Sequence, residues 1–212
     1  MNRKLNHNLQ ASDAYILYSK PWRETSIIVQ IFSRDYGRIS MIAKGAKQPY
    51  SQLRPILSTF QPLIISWSGK NDIKILTRAE LNGIRFLSGS SLMPAWYMNE
   101  LIIRMLPFED SCPKLFDAYD IALRKLSSKN NMINKNILHF FEWVLLRETG
   151  YGTDLLEEPN FFDSSKLRLE ALKSINKRLK LNLNNRELKT PKLFNELKIL
   201  QQSISIRSKQ TR

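Results

Sequence analysis

A change of rhythm near residue 90 constrains this chain most. Before it, five short segments carry strand character: Ala14 to Ser19, Thr25 to Phe32, Arg38 to Lys44, Leu63 to Trp67 and Ile73 to Leu81. After it, apolar residues recur at the helical period, as in Met98, Leu101, Ile102 and Met105. A chain cannot satisfy both periods with one element type, so the sequence predicts an α+β protein in two parts.

The third segment alternates cleanly, with Ile39, Met41 and Ala43 on one side and Arg38, Ser40, Ile42 and Lys44 on the other. This is the pattern of a half-buried strand. Gly37 and the run Ser68-Gly69-Lys70-Asn71 mark two tight turns, so segments two and three, and four and five, read as hairpins. A longer crossover, Gly45 to Pro62, carries Pro49, Pro55 and Pro62. Five short strands with a long connection after the third predict a five-stranded Greek-key barrel of the OB type. The expected division is an OB-fold domain over residues 1–81 and a helical domain over 82–212.

In the second part, Pro94 is placed for a first helical turn, a second helix starts near Pro113, and Gly150 is positioned to end a third. The third helix carries Ile133, Ile137, Phe140, Phe141 and Val144 as a core stripe. Leu193, Leu197 and Leu200 give a last stripe after Thr190-Pro191.

Charge narrows the function. Thirty-three Lys and Arg oppose nineteen Asp and Glu, a formal net charge of +14. Residues 1–80 carry 12 basic and 5 acidic groups, residues 81–160 carry 8 and 10, and residues 161–212 carry 13 and 4. Such a surplus at both ends points to a polyanionic partner. From Tyr36 to Asn71 stand Arg38, Lys44, Lys47, Arg54 and Lys70 with no acid among them, and Lys74 adds to the fifth strand. Trp22, Tyr36, Tyr50 and Trp67 are interleaved with these charges, as aromatic platforms and cations are in single-strand binding surfaces. Charge and rings do not choose DNA over RNA, so an RNA-binding OB module of translation or RNA decay is the alternative.

Other chemistry finds little material. Two histidines, His7 and His139, and a single cysteine, Cys112, leave no multi-ligand metal site, no internal disulfide and no triad. No phosphate-binding glycine loop is present. The acidic neighbours Glu109-Asp110, Asp117 with Asp120, and Glu157-Glu158 read as helix ends and turns rather than a nuclease centre. No enzyme, metal or cofactor is expected. The sequence MNRKLNHNLQ has no secretory pattern and no run is long enough to span a membrane, so a cytoplasmic, nucleoid-associated protein is expected.

The run "KPWRETSIIVQIFSRDYGRISMIAKGAK", with "NEL" at Asn99 to Leu101 and "TGYG" at Thr149 to Gly152, resembles the bacterial RecO family of recombination mediators. The likeness runs from about residue 12 to 152. It implies an OB domain followed by helices, binding to single- and double-stranded DNA, strand annealing, and contact with the acidic tail of single-stranded DNA-binding protein. It also implies RecR as partner, RecF in some settings, and help for RecA in replacing the coat on single strands. Carried over by motif, Arg38, Lys44 and Lys47 are the first choice for DNA contact, while Glu24, Thr25 and Ser26 fit a turn-ordering role. Lys135 and His139 fall where the family places basic groups for the acidic tail. The chain departs from the family in its diluted basic tract, Gln48-Pro49-Tyr50-Ser51-Gln52, in lacking four zinc-binding cysteines, and in its short end.

Overall fold

The computed structural model describes residues 11–87, 89–128 and 134–150, with 177 and 188–190. Five strands form a closed barrel in the order β1-β2-β3-β5-β4: β1 is Ser12–Trp22, β2 Ser26–Ser33, β3 Gly37–Ala43, β4 Leu63–Ser68 and β5 Ile73–Leu81. All pairs are antiparallel except β3 with β5. That order, with a parallel contact after the long connection, is the OB arrangement predicted above. The connection holds one short helix, α1 (Leu53–Ile56).

Period-two alternation builds the barrel interior. Ala14, Ile16, Val29, Ile31, Ile39, Met41, Leu63 and Ile65 meet inside and exclude water. β1 is longer than the expected segment because it continues through Pro21 to Trp22. β4 pairs with β1 only over Ser12–Ala14, so β1 has a single neighbour at Pro21, a position that a strand proline tolerates.

Among the described residues three long helices follow: α2 (Gly89–Met105), α3 (Pro113–Leu126) and α4 (Asn134–Glu148). Pro113 opens α3, and Gly150, with φ 76°, stands two residues past α4. α2 begins earlier than expected, leaving Pro94 inside it rather than in its first turn. Ser91 is buried, so the turn before the proline packs against the rest of the fold although the proline supplies no N–H to the helix ladder.

The helices do not form a core of their own. Tyr15, Leu17, Phe32 and Phe60 of the barrel half join Met98, Leu101, Phe116, Tyr119 and Phe141 in one buried cluster. Tyr15 and Phe32 both pack edge-on against Tyr119, with centroids 5.2 and 6.0 Å away. Polar contacts cross the same boundary. The Asn99 amide donates to the Leu17 carbonyl (2.9 Å) and its oxygen accepts from the Tyr119 hydroxyl (2.5 Å). Arg34 makes a two-point contact with Asp117 at 2.9 and 3.0 Å. Asp120 accepts from the Tyr15 hydroxyl and from Arg85, and it pairs with Arg124 at 2.6 Å. Burial, reinforced by Asp120, holds the Tyr15 phenol well above its ordinary pKa.

Candidate nucleic-acid interface

Cross-strand pairing sorts the outside of the barrel into rows. Paired residues share a face, so the register alone assigns each row. Tyr15, Phe32 and Arg38 form one. Tyr18, Gln30, Ser40 and Ile73 form the next, followed by Lys20, Ile28, Ile42 and Ile75. Trp22 pairs with Ser26, and since Ile27 pairs with Ala43, Lys44 lies just beyond Ser26 in the last row.

The rows have different fates. The helices cover the first: Arg38 is 9% exposed, donates to the Ile103 carbonyl at 2.6 Å, and has its guanidinium carbon 3.8 Å from the Phe108 ring centroid. Burial lowers its pKa from the ordinary arginine value. The other rows are open at their β1 and Lys44 positions, while Ser26 and Ile28 between them are buried. Tyr18 is 47% and Trp22 40% exposed, and Lys20 and Lys44 are exposed with them.

At the open end, Trp22, Arg23, Glu24, Thr25, Ser26, Ile42, Lys44, Gly45 and Gln48 line a groove of about 890 Å³. Two stretches of chain are stitched together there. The Lys47 backbone N–H donates to the Thr25 carbonyl (2.8 Å), and the Lys47 ammonium to the Arg23 carbonyl (3.4 Å). Arg23 takes the left-handed conformation, φ 53°, that a tight β1–β2 turn demands. The P-W-x-E-T-S and A-K-G-A-K runs are therefore the two walls of one feature.

The expected DNA contacts divide accordingly. Arg38 is corrected: the β3 alternation does place it outside, but that outside is an internal boundary between barrel and helices. Lys74 is also engaged, its side chain 12% exposed and its ammonium 2.6 Å from Glu109. Lys44 stands in the groove and Lys47 beside it, whereas Arg54 on α1 and Lys70 in the β4–β5 turn are exposed outside its walls. Among the described residues no ion pair engages Lys44, Lys47, Arg54 or Lys70.

The four aromatics divide too. Tyr36 and Trp67 pack edge to face, centroids 4.9 Å apart, against the barrel core, while Trp22 and Tyr50 face solvent. Sequence reasoning passed over Lys20 and Arg23, which lie beyond a first segment ending at Ser19, and gave Tyr18 inside that segment no face. The alternation of Tyr18, Lys20 and Trp22 is the available signal.

Positions 135 and 139 fall within α4, but the side chains of Lys135 and His139 lie outside the described residues. Gly152 and the stripe at Leu193, Leu197 and Leu200 lie outside them as well. The N-E-L run is structural. Beyond Asn99, the Glu100 carboxylate accepts the backbone N–H groups of Lys189 and Thr190, both at 2.8 Å, and pairs with Arg104 at 2.8 Å. Burial works to raise the Glu100 pKa, but those donors outweigh it and the net shift is downward. Among the described residues there is no cluster able to hold a metal ion, and no helix long and apolar enough to cross a membrane.

Comparison with known proteins places this geometry. Residues 8–85 match the family model for the recombination protein O N terminal region, and residues 88–201 match that for its C terminal region. A DNA repair protein RecO of Ralstonia nicotianae is 45% identical over 153 residues, 72% of this chain and 56% of the relative. One from Aromatoleum aromaticum is 48% identical over 143 residues, 67% of this chain and 59% of the relative. One from Burkholderia lata is 43% identical over 155 residues, 73% of this chain and 55% of the relative. The matches thus span little more than half the length of these relatives.

Proposed function

Because the chain belongs to the recombination protein O family, we propose that it is a non-enzymatic DNA-binding mediator of recombinational repair that anneals complementary strands and helps RecA displace single-stranded DNA-binding protein. The observation that carries this reading is the uncovered part of the barrel's outer face, where Lys20, Lys44 and Lys47 stand beside Trp22 and the groove. Cations on a sheet face neutralise phosphates and release counterions, so two strands approach each other with less repulsion. No bond is made or broken in such a step. Residues 1–81 then serve as the DNA-binding domain and 82–212 as the helical domain, with Arg54 and Lys70 as outlying phosphate contacts.

The acidic tail of single-stranded DNA-binding protein is assigned to α4 around Lys135 and His139, and RecR is the expected protein partner. Single- and double-stranded DNA are the ligands, in the cytoplasm at the nucleoid. This assignment rests on family resemblance and on the spacing of 135 and 139, which puts both on one helix face.

Reversing Lys44 and Lys47 to glutamate tests the reading. Binding to labelled single-stranded and duplex DNA should weaken together, and annealing of complementary oligonucleotides should slow. Unchanged affinity at equal salt sinks the barrel face as the DNA surface. A parallel titration with single-stranded RNA decides between DNA repair and an RNA-binding role.

A further inference from the structure

We infer that Tyr18 and Trp22 are stacking platforms for two separated bases, and that this pair selects an unpaired strand over a duplex. The inference rests on the DNA-binding reading above and deepens it by naming the form of nucleic acid the face takes.

Its basis is the order of side chains along the open edge of β1. Tyr18, Lys20 and Trp22 point outward in succession, giving aromatic, cation, aromatic at two-residue intervals. The only irregularity in this ladder lies before Tyr18, so the three positions are in regular strand. At about 3.3 Å per residue the two rings are anchored roughly 13 Å apart. Stacked bases in a duplex repeat at about 3.4 Å, and their faces are covered by their neighbours. Two rings so far apart engage only bases already pulled out of a stack, and only a single strand supplies those without breaking pairs. Lys20, between them, is placed for the intervening phosphate.

The surroundings agree with this occupant. Lys44 shares the row of Trp22 across Ser26, which puts a second cation beside that platform. Ile42 and Trp22 contribute apolar surface to the groove, as a base face requires, and Glu24 at its rim disfavours a phosphate crossing the turn. Gln30, beside Tyr18 in its row, keeps a covered side-chain oxygen with no hydrogen-bond donor among the described residues. Buried acceptors are seldom left so, and a base edge next to Tyr18 is a source of the missing donor once the amide turns toward it. Of the other aromatics interleaved with the charges, Tyr36 and Trp67 are taken up by each other, and Tyr50 is exposed in the connection after β3, off the strand ladder.

The test uses the full chain with Tyr18→Ala, Trp22→Ala, Tyr18→Phe and Trp22→Phe, titrated with a labelled single strand and with its duplex. Each alanine variant should lose roughly five- to hundredfold in single-strand affinity while duplex affinity holds, and each phenylalanine variant should retain most of both. Quenching of tryptophan emission by a single strand should shrink in Trp22→Phe. Thermal melts confirm that these surface variants fold. Equal losses on single strand and duplex, or no loss on either, overturn the inference. If Lys44→Glu with Lys47→Glu weakens both forms and the alanines change nothing, the platforms fall and the DNA surface stands. If none of these variants alters DNA binding, both readings fall.

Discussion

The guanidinium of Arg38 lies 3.8 Å from the centroid of the Phe108 ring while the same side chain donates to Ile103, tying β3 to the end of α2. The strand alternation that marks Arg38 as a phosphate ligand thus marks a joint instead. Lysine keeps the charge but not the flat fork that serves a carbonyl and a ring together. Arg38→Lys should cost about 1–3 kcal/mol in urea unfolding, from a charge-assisted bond and a cation–π contact, and leave the DNA affinity of the folded protein unchanged. Normal stability with weakened DNA binding returns Arg38 to the DNA surface.

Gly37 predicts a second loss at the same joint. It has φ 66°, and a Cβ built there overlaps the backbone carbonyl of Asp110. Gly37→Ala meets both a left-handed backbone and a hard contact, so a destabilisation of roughly 2–4 kcal/mol is expected by chemical denaturation. A neutral result means that the 106–112 connection does not sit against the β2–β3 turn.

Acid should release the segment around Thr190. The Glu100 pKa is lower in the folded chain than in the unfolded one, so the ionised carboxylate stabilises at neutral pH. That contribution is complete above the ordinary glutamate value of about 4.3 and is lost as pH falls through the lower folded value. Amide protection at Lys189 and Thr190 should fall over that acidic window. Glu100→Gln should show weakened protection already at neutral pH and little further change with acid. Acid loss that persists in Glu100→Gln assigns it to another group.

Salt provides a fourth check. If Lys44 and Lys47 each neutralise one phosphate, replacing both with alanine should flatten the slope of log affinity against log salt by about 1.4 on single-stranded DNA and about 1.8 on duplex. A lower affinity with an unaltered slope means that these lysines act on the fold of the turn rather than on the phosphates.

Much of this architecture was legible because alternation is local. Ile39, Met41 and Ala43 announce an inward face without reference to anything distant, and Gly37, Gly69 and Pro113 announce turns and a helix start through their own backbone chemistry. What a face is covered by is not local. Arg38 and Lys44 share one side of a strand, yet α2 and the Phe108 segment bury the first and leave the second in water. Lys74 likewise reads as a surface cation until Glu109, far along the chain, arrives beside it. Pro94 misled for a related reason. A proline forbids a hydrogen bond, but whether that ends an element depends on whether a neighbour needed the bond and on what the next turn buries.

The row of Tyr15, Phe32 and Arg38 also bears on how the chain is made. Synthesis from the amino end completes all five strands at Leu81, but the row's aromatic partners on α3 include Tyr119. The intervening stretch takes roughly 2–8 s to translate at typical rates. For that interval a nascent barrel presents two large rings and a cation with nothing against them, so the emerging protein passes through a sticky stage that the finished one never shows.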